Sequence, residues 1–126
     1  MTKIKTSELT GAALDWAVAK CEGFAPETLN TKTGVVYSLR YGHYTPSTDW
    51  AQGGPIIERE MIQLTPHCMV TPLHGWAAAF RSFDEDDDVY ALHRMRGKTP
   101  LIAAMRCYVA SKLGDEVDVP EELCHG

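Results

Sequence analysis

No stretch of this sequence stays apolar for the roughly 20 residues that a membrane-spanning helix needs, so the 126 residues are not expected to meet a membrane. No CxxC pair occurs. Cys21, Cys68, Cys107 and Cys124 stand far apart, the pattern of free thiols in a reducing compartment. His67-Cys68 and Cys124-His125 are adjacent pairs, and neighbours in sequence rarely both reach one ion, so neither metal nor cofactor is expected. The opening MTKIKTSELTG carries two lysines but no apolar segment. It does not read as a signal peptide, and the expected location is the cytoplasm. The basic residues form no stripe and the net charge is −5, which argues against duplex DNA as a partner.

What is present is enough for a core. The hydrophobic fraction is 44%, and the length fits one domain. No repeat or linker divides it. The expected organisation is a single α+β domain over residues 1–114, followed by a mobile acidic tail over 115–126. Acid residues are concentrated in two places: Asp84 to Asp88, and Asp115, Glu116, Asp118, Glu121 and Glu122. Setting these ten aside leaves seven acids against 12 Lys and Arg, so the body is mildly basic. Two acidic appendages read as solvated loop and tail rather than as a mimic of DNA.

Residues 7–21, SELTGAALDWAVAKC, predict an amphipathic helix capped at Thr6 or Ser7 and ended by Gly23. VVYSLRY, 35–41, predicts a strand with Val35, Tyr37, Leu39 and Tyr41 on one face. HCMV, 67–70, is a candidate short strand, GWAAAFRSF, 75–83, is a strand with Trp76, Ala78 and Phe80 on one face, and VYALHRM, 89–95, is open between strand and helix. TPLIAAMRCYVASKLG, 99–114, is the clearest element. Thr99 caps it, Pro100 opens it and Gly114 closes it. Its apolar row Leu101, Met105, Val109 and Leu113 adjoins a row of small residues, Ala103, Cys107, Ala110 and Gly114, so it is expected to be buried.

TPSTDWAQGGPIIERE, 45–60, raises the question of function. Ser47, Thr48 and Asp49 are capping residues, and a helix is expected from about Thr48 to Glu60. Pro55 removes a backbone donor and clashes with the carbonyl of Ala51, so a break or kink is expected there. Gly53 and Gly54 each cost about 1 kcal/mol against alanine in a helix interior. That cost suggests a close approach of some group to the backbone, a ligand or a packed neighbour. Hydroxyls, a carboxylate, the Trp50 face and glycine amides together suit a base or sugar phosphate; a capped helix with a buried tryptophan explains the same residues.

HRMRGKTP, 93–100, is the second candidate. Arg94, Arg96 and Lys98 lead into the N-terminus of the last helix, where backbone N–H groups and the helix dipole favour an anion. Solvated cations answering the acidic run are the plainer reading. The GKT is not a Walker A loop, because no glycine lies five residues before Gly97. Tyr37, Tyr41, His43 and Tyr44 cluster at a strand end and either line a pocket or pack against the sheet. Arg106, inside an apolar helix, either pairs with Asp15 or Asp49 or reaches outward. No nucleophile motif and no catalytic carboxylate pair stands out.

ELTGAALDWAVAKCEG, PSTDWAQGGPIIERE and TPLIAAMRCYVASKLGDEV resemble the phage NinX family, over about residues 6–122 and least at 65–95. Ser47-Thr48-Asp49, Trp76 to Phe80 and Thr99-Pro100-Leu101 are more loosely similar to phage ABA-sandwich domains. The resemblance implies a small helix–sheet–helix sandwich, with a short, mostly antiparallel sheet and about three helices, in a phage accessory protein of the bacterial host cytoplasm. Gly53-Gly54-Pro55 departs from the sandwich pattern, and the family supplies no catalytic residues. Two functions remain open. One is a non-enzymatic module that holds an anionic small molecule, a nucleotide for example, through Ser47, Thr48, Asp49, Trp50, Gly53, Gly54, Arg94, Arg96 and Lys98. The other is a protein-interaction factor that docks on a host protein or forms a homodimer.

Overall fold

Thr99 and Pro100 set the central element of the fold. In the computed structural model, which describes residues 1–24, 29–31, 36–38, 42–66, 75–83 and 89–123, helix α3 spans Pro100–Leu113. Thr99 Oγ1 accepts from Ile102 N at 3.1 Å, and Gly114 ends the helix at φ 89°. Leu101, Ala103, Ala104, Met105, Cys107, Tyr108 and Val109 are all buried. Burying each large side chain contributes about 1.5–3 kcal/mol, so α3 is held by packing on nearly every face rather than by one apolar stripe.

The elements around α3 are α1 (Gly11–Cys21), α2 (Trp50–Glu60) and three antiparallel sheets. One sheet pairs β1 (Thr2–Lys5) with β8 (Glu116–Val119). A second joins the two-residue strands β2 (Leu29–Asn30), β3 (Tyr37–Ser38) and β4 (Gly42–His43). The third runs β5 (Gln63–Pro66), β6 (Trp76–Phe83), β7 (Val89–Gly97). α3 packs against β6 and β7, and also against α1 and α2, so the sheet and the other helices meet through it. The α+β class, the short antiparallel sheets and three helices among the described residues are as the sequence predicts.

Several local expectations change. VYALHRM is strand, part of β7. α1 begins later than expected, with Thr10 at its N-cap. Thr6 is instead buried in a 3-10 turn, where its N–H donates to Asp115 O at 2.7 Å and its hydroxyl to Gly114 O at 2.7 Å. Residues 116–119, expected within a mobile tail, form β8. Val117 and Val119 alternate with Glu116 and Asp118 and are buried. Alternation of period two outweighs the acidic composition there. In β3 the buried side chains flanking Tyr37 are Val36 and Ser38, and Tyr37 itself is exposed. Tyr41, the candidate strand 67–70 and the acidic run 84–88 lie outside the described residues.

α2 is one helix, not two. Pro55 stands inside it, and Asp49 caps it by accepting from Ala51 N at 2.9 Å. A proline ring clashes with the Cβ of the residue before it when that residue is helical. Gly54 has no Cβ, which removes that part of the penalty. Gly53 answers a different need. A Cβ there would lie 2.4 Å from Pro46 O and 2.6 Å from Leu101 Cδ2, so glycine is what lets α2 close on the preceding turn and on α3.

Candidate functional site

The Ser-Thr-Asp triplet does not converge on a common point. Ser47 is buried, and its N–H donates to Asp15 Oδ1 at 2.9 Å. Its hydroxyl faces the same carboxylate without reaching hydrogen-bond geometry, so Oγ is a buried oxygen without a partner. Thr48 is exposed over its own turn, and Asp49 is occupied as the helix cap. Trp50 is 54% exposed rather than buried. Gly53 is buried and its N–H donates to Asp49 O at 2.9 Å, while Gly54 touches little beyond Trp50. Burial pushes the Asp15 carboxyl up to about 6 against the pull of the Ser47 groups.

The two stretches each pack a glycine against α3. Gly53 rests on Leu101, and a Cβ at Gly97 would lie 2.6 Å from Ala103 N and 2.8 Å from Ile102 Cγ2. Both glycines are thus matched to the first turn of α3. That turn has few amides to offer: Pro100 has none, Ile102 N is capped by Thr99, and Ala103 N donates to Thr99 O. Arg94 and Arg96 are exposed on the face of β7 opposite Met95, across from Ala79 and Ala77. With exposed Lys98 they have no side-chain partner among the described residues, and no hydrogen bond or ion pair there joins any of the three to Ser47–Gly54. Arg106 pairs with neither Asp15 nor Asp49. Its Nε donates to Leu9 O and its Nη1 to Arg96 O, both at 2.7 Å.

α2 nevertheless lines a cleft, through residues the sequence did not single out. Ala51, Gln52, Pro55, Ile56 and Arg59 form one wall. Glu22, Phe24 and Tyr44 form the other, around a volume of about 320 Å³. That lies at the lower end for small-molecule sites. The Phe24 and Tyr44 rings sit 4.9 Å apart, tilted at 45°. Gln52 is fixed at both ends, accepting from Thr45 N at 2.6 Å and donating to His43 O at 2.9 Å. Of the aromatic cluster expected at the strand end, Tyr44 lines the cleft, and Tyr37 and His43 stack edge-on at 5.6 Å.

Charge in the cleft is internally matched. Arg59 clasps Glu22 with two bonds, Nη1 to Oε1 at 3.1 Å and Nη2 to Oε2 at 2.7 Å. Its Nε donates to Glu60 at 2.8 Å, and Tyr108 OH donates to Glu22 Oε2 at 2.6 Å. Burial pushes the Glu22 carboxyl up, but Arg59 and Tyr108 outweigh it and hold it below its ordinary value. Burial raises the Tyr44 and Tyr108 phenols. Burial also pushes the Cys21 and Cys107 thiols up to about 12, so both are inert at neutral pH. Among the described residues no group of three His, Cys, Asp or Glu could hold a metal ion.

A helical wheel of 50–60 would have shown Ala51, Pro55 and Arg59 on one flank. The expected break at Pro55 concealed it.

The profile of the family described as Bacteriophage P22, NinX matches residues 5–112. The chain belongs to the phage P22 NinX family. The matched span takes in α1, α2, the β5–β7 sheet and nearly all of α3, and hence every residue lining the cleft of this NinX member. No curated protein matches the chain. No helix of the described residues is long and apolar enough to cross a membrane.

Proposed function

We propose that this NinX member is a non-enzymatic phage accessory protein of the host cytoplasm, and that it binds a small molecule in the cleft beside α2. The observation that carries this reading is a walled apolar volume whose polar groups are already held in place. Phe24 and Tyr44 form an aromatic wall, Pro55 and Ile56 face it, and Gln52, Glu22 and Arg59 are fixed by partners. Such preorganisation lowers the ordering cost of binding. Catalysis has no support in the lining. Among the described residues it holds no cysteine, and its one carboxylate is committed to Arg59 and Tyr108.

For the cleft we infer a ligand chemistry other than the anion of the sequence reading. Arg59 directs its bonds to Glu22, Glu60 and Tyr108 and has little left for a phosphate. A compact, planar, uncharged ligand of nucleobase or nucleoside size fits better. An anion suits Arg94, Arg96 and Lys98, where exposed cations stand beside the small residues Ala77 and Ala79. Saturation-transfer NMR with bases, nucleosides and nucleotides tests the cleft. Bases and nucleosides should give signal, and Ala51→Leu, which fills the cleft from an exposed position, should abolish it. Silence from the whole set, or signal indifferent to Ala51→Leu, refutes the cleft reading. A response confined to phosphorylated ligands and lost on Arg96→Ala would move the site to the arginine face.

A further inference from the structure

Strand register sorts the side chains of the β5–β7 sheet onto two faces. Leu64, Ala78 and Met95 form one row across the three strands and pack toward the core. Their neighbours form two rows on the other face, Gln63–Ala79–Arg94 and Thr65–Ala77–Arg96. Gln63, Thr65, Arg94 and Arg96 are exposed there. Each row runs from a polar residue, over an alanine, to an arginine. Of the four arginines whose side chains are described, Arg59 and Arg106 direct their donors to groups of the chain itself. Arg94 and Arg96 have no such bonds among the described residues, although the strand beneath them is held. Arg106 Nη1 donates to Arg96 O at 2.7 Å, and Gly97 packs on α3. Lys98, also exposed, follows in the bend before α3.

Alternate residues of a strand stand about 6.8 Å apart. An extended peptide repeats at the same interval, so carboxylates at its alternate positions can meet both arginines at once. The guanidinium fork takes a carboxylate through two parallel bonds. Alanines at the centre of the face let a main chain lie close to the sheet. Gln63 and Thr65 bound it on the far side, two strand spacings or roughly 10 Å from the arginines. So flat a floor does not enclose a small molecule. Nucleic acid is the weaker match. No aromatic side chain stands on this face among the described residues to stack a base, since Trp76 packs on the core, and the net charge is −5. We propose that this face of the sheet docks an extended acidic segment of a partner protein, with alternate carboxylates paired to Arg94 and Arg96. Lys98 lengthens the charged edge. The cleft beside α2 shares none of these residues.

Fluorescence anisotropy with a labelled peptide of alternating glutamate and threonine, about ten residues long, tests this at low salt and up to about 500 µM protein. Binding that weakens as salt is added is expected. Arg94→Ala and Arg96→Ala should each weaken it about 10-fold, as loss of a charge-assisted pair does. Lys5→Ala removes the same charge from exposed β1 and should change it less than about twofold. Ala79→Glu sets a carboxylate across from Arg94 and should abolish binding, with the fold intact by circular dichroism. A peptide with its glutamates at every third position puts successive carboxylates on opposite faces and should bind more weakly. Absence of binding, equal losses from Lys5→Ala and Arg94→Ala, or equal affinity for the two peptides overturns the proposal. So does tighter binding of a thymidine oligonucleotide of matching length, which would give the face to nucleic acid.

Discussion

Asp15 carries a buried charge facing a hydroxyl that lacks a partner. Its carboxyl titrates near 6 in the fold against an ordinary 3.8. An acid raised on folding binds more protons in the native state between those two values, so its contribution makes stability fall as pH rises through that window. Asp15→Asn keeps an oxygen for Ser47 N–H and brings a donor toward Ser47 Oγ. It should stabilise the protein at pH 7 by about 1–3 kcal/mol and remove the decline, as read from urea melts at pH 4 and pH 7. Gly53 tests the opposite sign. Its Cβ would press on the Pro46 carbonyl, which is backbone and cannot rotate away. Gly53→Ala should therefore cost about 1–3 kcal/mol despite alanine's better helix propensity, as calorimetry would show.

At the scale of elements, the termini are tied together. β1 pairs with β8, Thr6 bonds Gly114 and Asp115, and Thr31 Oγ1 donates to Glu122 at 2.5 Å. Neighbouring residues of β8 should then respond very differently to substitution. Val119→Ala should cost about 2 kcal/mol, as expected for a fully buried valine, while Asp118→Ala should change stability by less than about 0.5 kcal/mol. Equal, negligible effects in a chemical melt would mean that β8 adds nothing to the stability of the fold. The same elements show what was legible in advance. α3, its caps and the inward Ala78 of β6 follow from local pattern. Continuity of α2 through Pro55 does not, because it depends on Gly54 relieving a clash and Gly53 admitting a neighbour that is distant in sequence.

At the scale of the whole molecule, Glu22, Arg59 and Tyr108 join the ends of α1 and α2 to the middle of α3. Glu22 is held below its ordinary 4.5. Its contribution is fully present above that value and is lost as pH falls through the depressed one. Glu22→Gln should therefore destabilise by about 1–2 kcal/mol at pH 7, moderated by the half exposure of Arg59, and flatten the acid limb of stability below pH 4.5. Because Asp15 acts in the opposite sense between 3.8 and 6, these two groups together place a maximum of stability between the two limbs.

By itself the sequence determined the α+β class, the capped and buried α3, the strand at 75–83 and membership of the NinX family. Each rests on residues close together in the chain, where periodicity, caps and local phrases carry the signal. Tertiary structure alone decided the roles of the candidate site residues. Gly53 and Gly97 are matched to α3, Ser47 is turned toward Asp15, and Trp50 is left in solvent. The cleft also depended on it, because Glu22, Tyr44 and Arg59 come from three separated segments. Spacing along a chain says which side chains share an element's face, but only packing determines which face is filled by the protein and which is left open.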